Sequence, residues 1–199
     1  ICSGRSLDEL APVLRETTNF RYAILCNGAY IMDIHTNQVI YESTLTKEET
    51  LHFYHLLASR FDMLFEPTYH DAPVALRSQL DTLARYNLGP LGDLVCQSHH
   101  PVDDLVCHIR SSNINAGKIN MFFLSTEQRD QALALLSSEN YQYFHQHPRN
   151  LEINCPGVCK GNALSRLARI LGYTSEEVMA IGDHNNDLTM IQYAGTAVA

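Results

Sequence analysis

Ile181-Gly182-Asp183-His184-Asn185-Asn186-Asp187 follows the apolar run Val178–Ile181 and precedes a helix-like Leu188 to Tyr193. It therefore reads as the turn between a strand and a helix, where open α/β sheets bind their ligands. Its two carboxylates, Asp183 and Asp187, stand four residues apart. Both can converge on one hard cation, because Mg²⁺ takes oxygen ligands and keeps positions for water and phosphate. The plain alternative is an ordinary loop, since Gly, Asp and Asn are the common residues of turns. Neighbouring segments decide between the two readings.

Working outward, Lys160-Gly161 opens a helix whose apolar residues Ala163, Leu164, Leu167, Ala168 and Leu171 follow helical spacing, with Gly172 as its stop. A lysine at a helix N-terminus opposes the macrodipole unless an anion lies between them. A solvated surface lysine is the competing reading. After the Asp turn, Thr196 to Ala199 begins another strand.

At the other end, Ile1-Cys2-Ser3-Gly4-Arg5 reads as the end of a strand. Ser6 and Glu9 form a capping box for a helix to about Glu16, which Pro12 kinks or delays. Ser3 and the open backbone at Gly4, between strand and helix, form a natural phosphate cradle. A simple turn is the alternative. Tyr22 to Cys26 is a short strand stopped by Asn27-Gly28, and Tyr30 to Tyr41 a hairpin turning near Thr36-Asn37. Strand, helix, strand is the grammar of a parallel sheet.

The character changes at Thr46, where a second capping box with Glu49 opens a helix to about Arg60. Strands are expected at Phe61–Phe65, Lys118–Leu124, Tyr141–Phe144 and Leu151–Ile153, and helices at Ala75–Tyr86 and Glu127–Leu136. Residues 88–115 carry mixed signals. The expected organisation is a Rossmann-like core of residues 1–45 and 150–199, cut at both ends, with an α+β unit of residues 46–149 inserted. The fold class is thus α/β, a Rossmann-like parallel sheet core with an inserted cap domain.

Composition narrows the function. The 199 residues are 45% hydrophobic and carry a formal charge of −8, which argues against a nucleic-acid or anionic-membrane partner. No apolar run is long enough to span a bilayer, and no signal peptide is visible. Cys2, Cys26, Cys96, Cys107, Cys155 and Cys159 show no paired pattern and read as buried free thiols in a reducing cytoplasm. Among the ten histidines only His99-His100 and the set His52, His55, His145 and His147 approach ligand spacing, and no matching Cys or carboxylate set accompanies them.

Taken in order, strand-Ser3-Gly4-Arg5, Asn27-Gly28, a long insertion, Lys160-Gly161 and Gly182-Asp183-x-x-Asn186-Asp187 resemble the haloacid dehalogenase superfamily of phosphatases, in its Cof-type sugar-phosphatase branch. The resemblance covers both core segments, about half the chain, and the insertion has the place and length of that branch's cap. It implies that Ser3 binds the transferring phosphoryl group, with Gly4 lending its N–H. Lys160 would neutralise charge between phosphate and nucleophile. Asp183 would bind Mg²⁺ directly, while Asp187 would hold a metal-bound water or orient Asp183. Asn186 would reach phosphate or substrate, and Arg5, Asn27 and Gly28 would line the floor beneath the cap. His70, Asp71, Arg77, His99, His100 and Arg110 are polar candidates in the cap.

Two departures stand out. Cys159 precedes Lys160 where a small hydroxyl residue is usual, and reads as a packing residue. The family's Asp-x-Asp-Gly-Thr motif, which carries its nucleophile and acid/base, is absent from these 199 residues. It is expected ahead of Ile1, in a unit on the order of 30 residues. The expected activity is a Mg²⁺-dependent phosphatase acting on a small phosphorylated metabolite through an aspartyl-phosphate. The alternative is a protein that binds a phosphorylated ligand without turnover. A cation-pumping ATPase shares such a core but needs membrane spans and an Asp-Lys-Thr loop, and neither is present.

Overall fold

The computed structural model describes residues 1–11, 14 and 19–199, which fall into two compact units, residues 1–43 with 157–199 and residues 44–156.

In the first unit, Cys2 pairs in parallel with Ile24, bracketed by hydrogen bonds from Ser3 N to Ile24 O and from Ile24 N to Ile1 O, each 2.8 Å. Strand Tyr22–Leu25 continues as an antiparallel meander through Tyr30–Asp33 and Gln38–Glu42. Asn37 takes the left-handed conformation (φ 55°) at the expected hairpin turn. At the expected capping box Ser6 donates, its N and Oγ both to Glu9 Oε2 at 2.8 and 2.9 Å. Residues 7–10 then form turns rather than the start of a helix. The expected kink at Pro12 and helix end at Glu16 lie outside the described residues.

The returning segment supplies helix Lys160–Leu171, ended by Gly172 at φ 81°, and strand Met179–Ile181. Helix Leu188–Tyr193 follows, and strand Thr196–Val198 pairs in parallel with Met179–Ile181. The Lys160 helix is amphipathic for a plain reason. Ala163 packs with Ile24 and Ile31, flanked by Leu164, Leu167, Cys2 and Tyr41, while Ile170 and Tyr173 stay exposed. Arg166 covers the Tyr41 ring at 4.1 Å, a cation–π contact that keeps its charge in water.

The second unit is built on an antiparallel sheet ordered Met63–Thr68, Lys118–Phe123, Asn150–Asn154, Gln142–Phe144. Because Asn150–Asn154 pairs within this sheet, the unit runs to Pro156, beyond the expected 149. Alternation gives the sheet two unlike faces. Met63, Phe65, Ile119, Met121, Phe123, Leu151 and Ile153 form an apolar face against Phe53, Leu57, Ala132 and Leu136 of helices Lys47–Ala58 and Thr126–Leu136. The opposite face is mixed: Leu64 and Phe122 pack with Ala75, Tyr86, Leu88 and Val95, and beside them lies a largely buried polar patch. Lys118 Nζ donates to Glu152 Oε1 at 2.7 Å, and Asn120 Nδ2 to Glu66 Oε2. Asn150 Nδ2 donates to Asn120 Oδ1 at 2.6 Å, while Glu66 Oε1 lies 2.7 Å from His99 Nε2, outside hydrogen-bond geometry.

The Thr46–Glu49 capping box is complete, with Thr46 Oγ1 accepting from Glu49 N and Glu49 Oε2 from Thr46 N. Residues 75–86 are not one helix. They split into the end of strand Val74–Leu76, the single turn Arg77–Leu80 and the 3₁₀ turn Leu83–Tyr86. Residues 88–115 hold helix Leu91–Ser98, strand His100–Val102 and helix Leu105–Ser111, whose N-cap Asp104 accepts from Cys107 N. All six cysteines are free, but only Cys26 is buried; Cys2, Cys155 and Cys159 are half-buried and Cys96 and Cys107 exposed, so the expectation of six buried thiols is corrected. No helix among the described residues is long and apolar enough to cross a membrane.

Candidate active site

Asp187 organises the site. It is buried at the end of the 3₁₀ turn Asn185–Asp187, and its Oδ1 accepts from Lys160 Nζ at 2.5 Å. Its Oδ2 accepts from the N–H groups of Asp183 and His184 at 3.2 and 3.1 Å. Burial pushes the Asp187 carboxyl up, but the Lys160 ammonium and the two N–H groups outweigh it and hold the group below the usual carboxylate range. Lys160 is thus a buried cation at a helix N-terminus, and its anion is Asp187. The surface-lysine reading is excluded.

Asp183 is different. Its side chain is 84% exposed, with Oδ1 2.7 Å from His184 Nδ1. Single ligand atoms of Asp183, His184 and Asp187 all lie within 4.8 Å of one another. An exposed carboxylate beside a buried, oriented one is the oxygen donor set that hard divalent cations take. Both oxygens of Asp187 are committed to protein donors, which suits the role of orienting the turn.

Asn27 and Gly28 sit in a left-handed turn, φ 62° and 109°. A Cβ on Gly28 would lie 2.5 Å from the Cys159 carbonyl oxygen, so only glycine allows this turn to rest on the start of the Lys160 helix. Asn27 N donates to Ser3 O at 3.1 Å, and Asn27 Oδ1 accepts from Asn186 Nδ2 at 3.2 Å. Asn186 is buried, and its Oδ1 has no hydrogen-bond partner. Ser3, Asn27, Asn186, Asp187, Lys160 and Gly28 are therefore joined in one circuit of contacts.

Ser3 and Gly4 are half-buried, and Ser3 Oγ accepts from Arg5 N at 3.1 Å. Arg5 stands apart. Its exposed guanidinium donates to Glu9 O at 3.3 Å, within its own turn.

A family model described as haloacid dehalogenase-like hydrolase matches residues 1–199. The chain belongs to the haloacid dehalogenase-like hydrolases. YxeH of Bacillus subtilis (strain 168) is 30% identical over 215 residues, all of this chain and 73% of that protein. The 5-amino-6-(5-phospho-D-ribitylamino)uracil phosphatase YcsE of the same organism is 40% identical over 65 residues, 33% of this chain and 26% of that protein. The fold matches a haloacid dehalogenase-like hydrolase from B. subtilis with TM-score 0.78 at 20% identity, over 98% of this chain and 74% of that one. It also matches the subclass IIB sugar phosphatase BT4131, TM-score 0.74 at 17% identity, over 99% and 71% of the two chains.

As in other haloacid dehalogenase-like hydrolases, this is a Rossmann-like core with an inserted α+β unit. Three contributors escaped the sequence reading. Cys159 is more than packing, because it is the N-cap of the Lys160 helix and its Sγ accepts from Asn162 N at 3.5 Å. The thiol thus does the capping work of the hydroxyl it replaces. Thr189 Oγ1 accepts from Gly161 N at 3.0 Å and ties the two helices together. A hydroxyl one turn past the Asp motif was the available signal. His184, inside the motif, has its Nδ1 2.7 Å from Asp183 Oδ1. Cys2, by contrast, is chemically silent, since burial pushes its thiol up to about 12.

Proposed function

We propose that this chain carries the phosphate- and metal-binding machinery of a phosphatase that hydrolyses small phosphorylated metabolites, such as sugar phosphates. The supporting observation is the buried Lys160–Asp187 pair beside the exposed Asp183 carboxylate, which brings a positive charge from the start of the Lys160 helix to the turn that carries the open carboxylate. YxeH, YcsE and BT4131 lend support as relatives and structural neighbours.

In this reading Asp183 holds Mg²⁺, which when bound supplies charge that stabilises the oxygens of the transferred phosphoryl group. Asp187 fixes the backbone that presents Asp183. Lys160 lies where it can neutralise both the phosphate and an attacking carboxylate. Ser3 Oγ and the Gly4 N–H cradle the phosphoryl oxygens, and Asn186 Oδ1 is free to accept from the substrate. Asn27 and Gly28 set the depth of the floor. Arg5 enters this reading only if it leaves Glu9. The nucleophile is the aspartate expected ahead of Ile1. It attacks phosphorus in line as the bond from phosphorus to the metabolite's oxygen breaks, the acid/base aspartate of the same motif protonates that oxygen, and water then cleaves the aspartyl-phosphate to release inorganic phosphate. The inserted unit is the cap, and substrate selection lies with its polar residues. The reading places this activity in the cytoplasm, and the net charge of −8 argues against nucleic acid or an anionic membrane as a partner.

The test is phosphate release from a panel of phosphorylated metabolites by the full-length protein with Mg²⁺. Asp183→Asn is expected to lower kcat/KM by at least about 10²-fold, the scale of losing one preorganised electrostatic group. No release, or an Asp183→Asn variant equal to wild type, sinks the reading.

A further inference from the structure

The sheet of the second unit leaves strand Met63–Thr68 at an edge, with Lys118–Phe123 on its inner side. An edge strand offers its outward N–H and C=O groups to any chain that can pair with them. In an antiparallel ladder alternate residues turn both groups outward. Here these are Met63, Phe65 and Pro67, because Met63 O and Phe65 N both meet the side chain of Gln79, on the turn Arg77–Leu80. Pro67 has no N–H, so the pairing edge is confined to Met63–Phe65. The sheet's other edge strand, Gln142–Phe144, is only three residues long, a common way of blunting an edge.

Gln79 Nε2 donates to Met63 O at 2.6 Å, and Gln79 Oε1 accepts from Phe65 N at 3.5 Å. One carboxamide thus supplies the donor and the acceptor that a neighbouring strand would bring. We propose that the Met63–Phe65 edge is a self-association surface for a second copy of this chain, and that the Gln79 carboxamide holds it shut.

The two covered groups are self-complementary, which selects the occupant. With a second copy antiparallel and the two-fold axis at Leu64, Phe65 N of each copy donates to Met63 O of the other, an isologous contact. Asp62, the carboxylate next to this edge, is already paired with Arg85, so no bare like charges meet across the axis. Beside the edge lies a hollow of about 460 Å³ lined by Tyr54, Phe61, Met63, Phe65 and Gln79, which gives an entering strand room. The closure is light. The Phe65 bond is at the limit of hydrogen-bond length, and Arg77–Leu80 is a single turn without a side-chain N-cap.

The experiment compares the 199-residue chain with its Gln79→Ala variant by sedimentation and amide hydrogen exchange, at concentrations up to about 1 mM. Expected is self-association at least about tenfold tighter in the variant, the scale of one net hydrogen bond no longer broken in each copy. Exchange at Phe65 N–H should slow in the variant as its concentration rises. Gln79 is half-buried, and Gln79→Met keeps its bulk without either hydrogen bond, so the same result is required of that variant should Gln79→Ala lose its fold. Equal association of wild type and variant overturns the proposal. So does tighter association that leaves Phe65 N–H exchanging freely, since the copies would then meet elsewhere.

Discussion

The Lys160 ammonium and the Asp187 carboxylate meet at 2.5 Å with 7% of each side chain exposed, so each is the other's solvent. Removing either leaves an uncompensated buried charge. Lys160→Met or Asp187→Leu alone is expected to lower unfolding free energy by about 3–5 kcal/mol. Urea denaturation checks this, and a loss under 1 kcal/mol (about a fivefold change in the folding equilibrium) would show the pair to be solvated.

The same carboxylate predicts a pH dependence. Although burial pushes it up, the Lys160 ammonium and the His184 and Asp183 N–H groups hold it below its usual range. A folded-state value below the unfolded one, near 4, contributes stability that is fully present above about pH 4. That contribution is lost as pH falls through the lower, folded value. Acid titrations by circular dichroism should therefore show the gap between wild type and Asp187→Asn closing below pH ~4. A gap independent of pH would contradict the assignment.

Gly161 offers a steric test. A Cβ there would lie 2.3 Å from the Thr189 carbonyl oxygen, a backbone atom that cannot step aside. Gly161→Ala must push the Lys160 helix off its neighbour, at about 1–3 kcal/mol. The readout is a lowered Tm. An unchanged Tm would mean that the two helices part easily.

In the second unit, Lys118 and Glu152 form a buried ion pair at 2.7 Å. Single apolar replacements should each cost about 3–5 kcal/mol, while Lys118→Met with Glu152→Leu should cost less than either alone. A double-mutant cycle by chemical denaturation measures this directly. Additive losses would deny the coupling.

Much of the site was legible because its residues are punctuated by Gly and sit at ends of regular elements. Asp183, Lys160 and Asn27-Gly28 all fall at strand or helix ends, where spacing and turn chemistry can be read. What sequence could not supply was direction. Arg5 turns to Glu9 rather than to the site, and nothing in Ser-Gly-Arg fixes that rotamer. Likewise the spacing of Asp183 and Asp187 alone makes them look equivalent, while burial separates the exposed carboxylate from the one that holds the turn. Residues 88–115 resisted because a three-residue strand and a seven-residue helix are too short to show a period. Residues 75–86 misled because Leu76, Leu80 and Leu83 keep helical spacing across three separate elements.

The inserted sheet with two unlike buried faces has a consequence for how the protein can change over time. Along Lys118–Phe123, Ile119, Met121 and Phe123 sit in an oily layer that tolerates exchange among apolar residues of similar bulk. Lys118 and Asn120, at the other parity, which ends in the apolar Phe122, are fixed by partners on adjacent strands and can change only in concert. Mutational tolerance should thus alternate residue by residue, drifting freely at one parity and moving in linked pairs at the other. Variation among close homologues of this chain would carry that two-beat rhythm, and the silent parity would mark the residues on which the unit's polar interior depends.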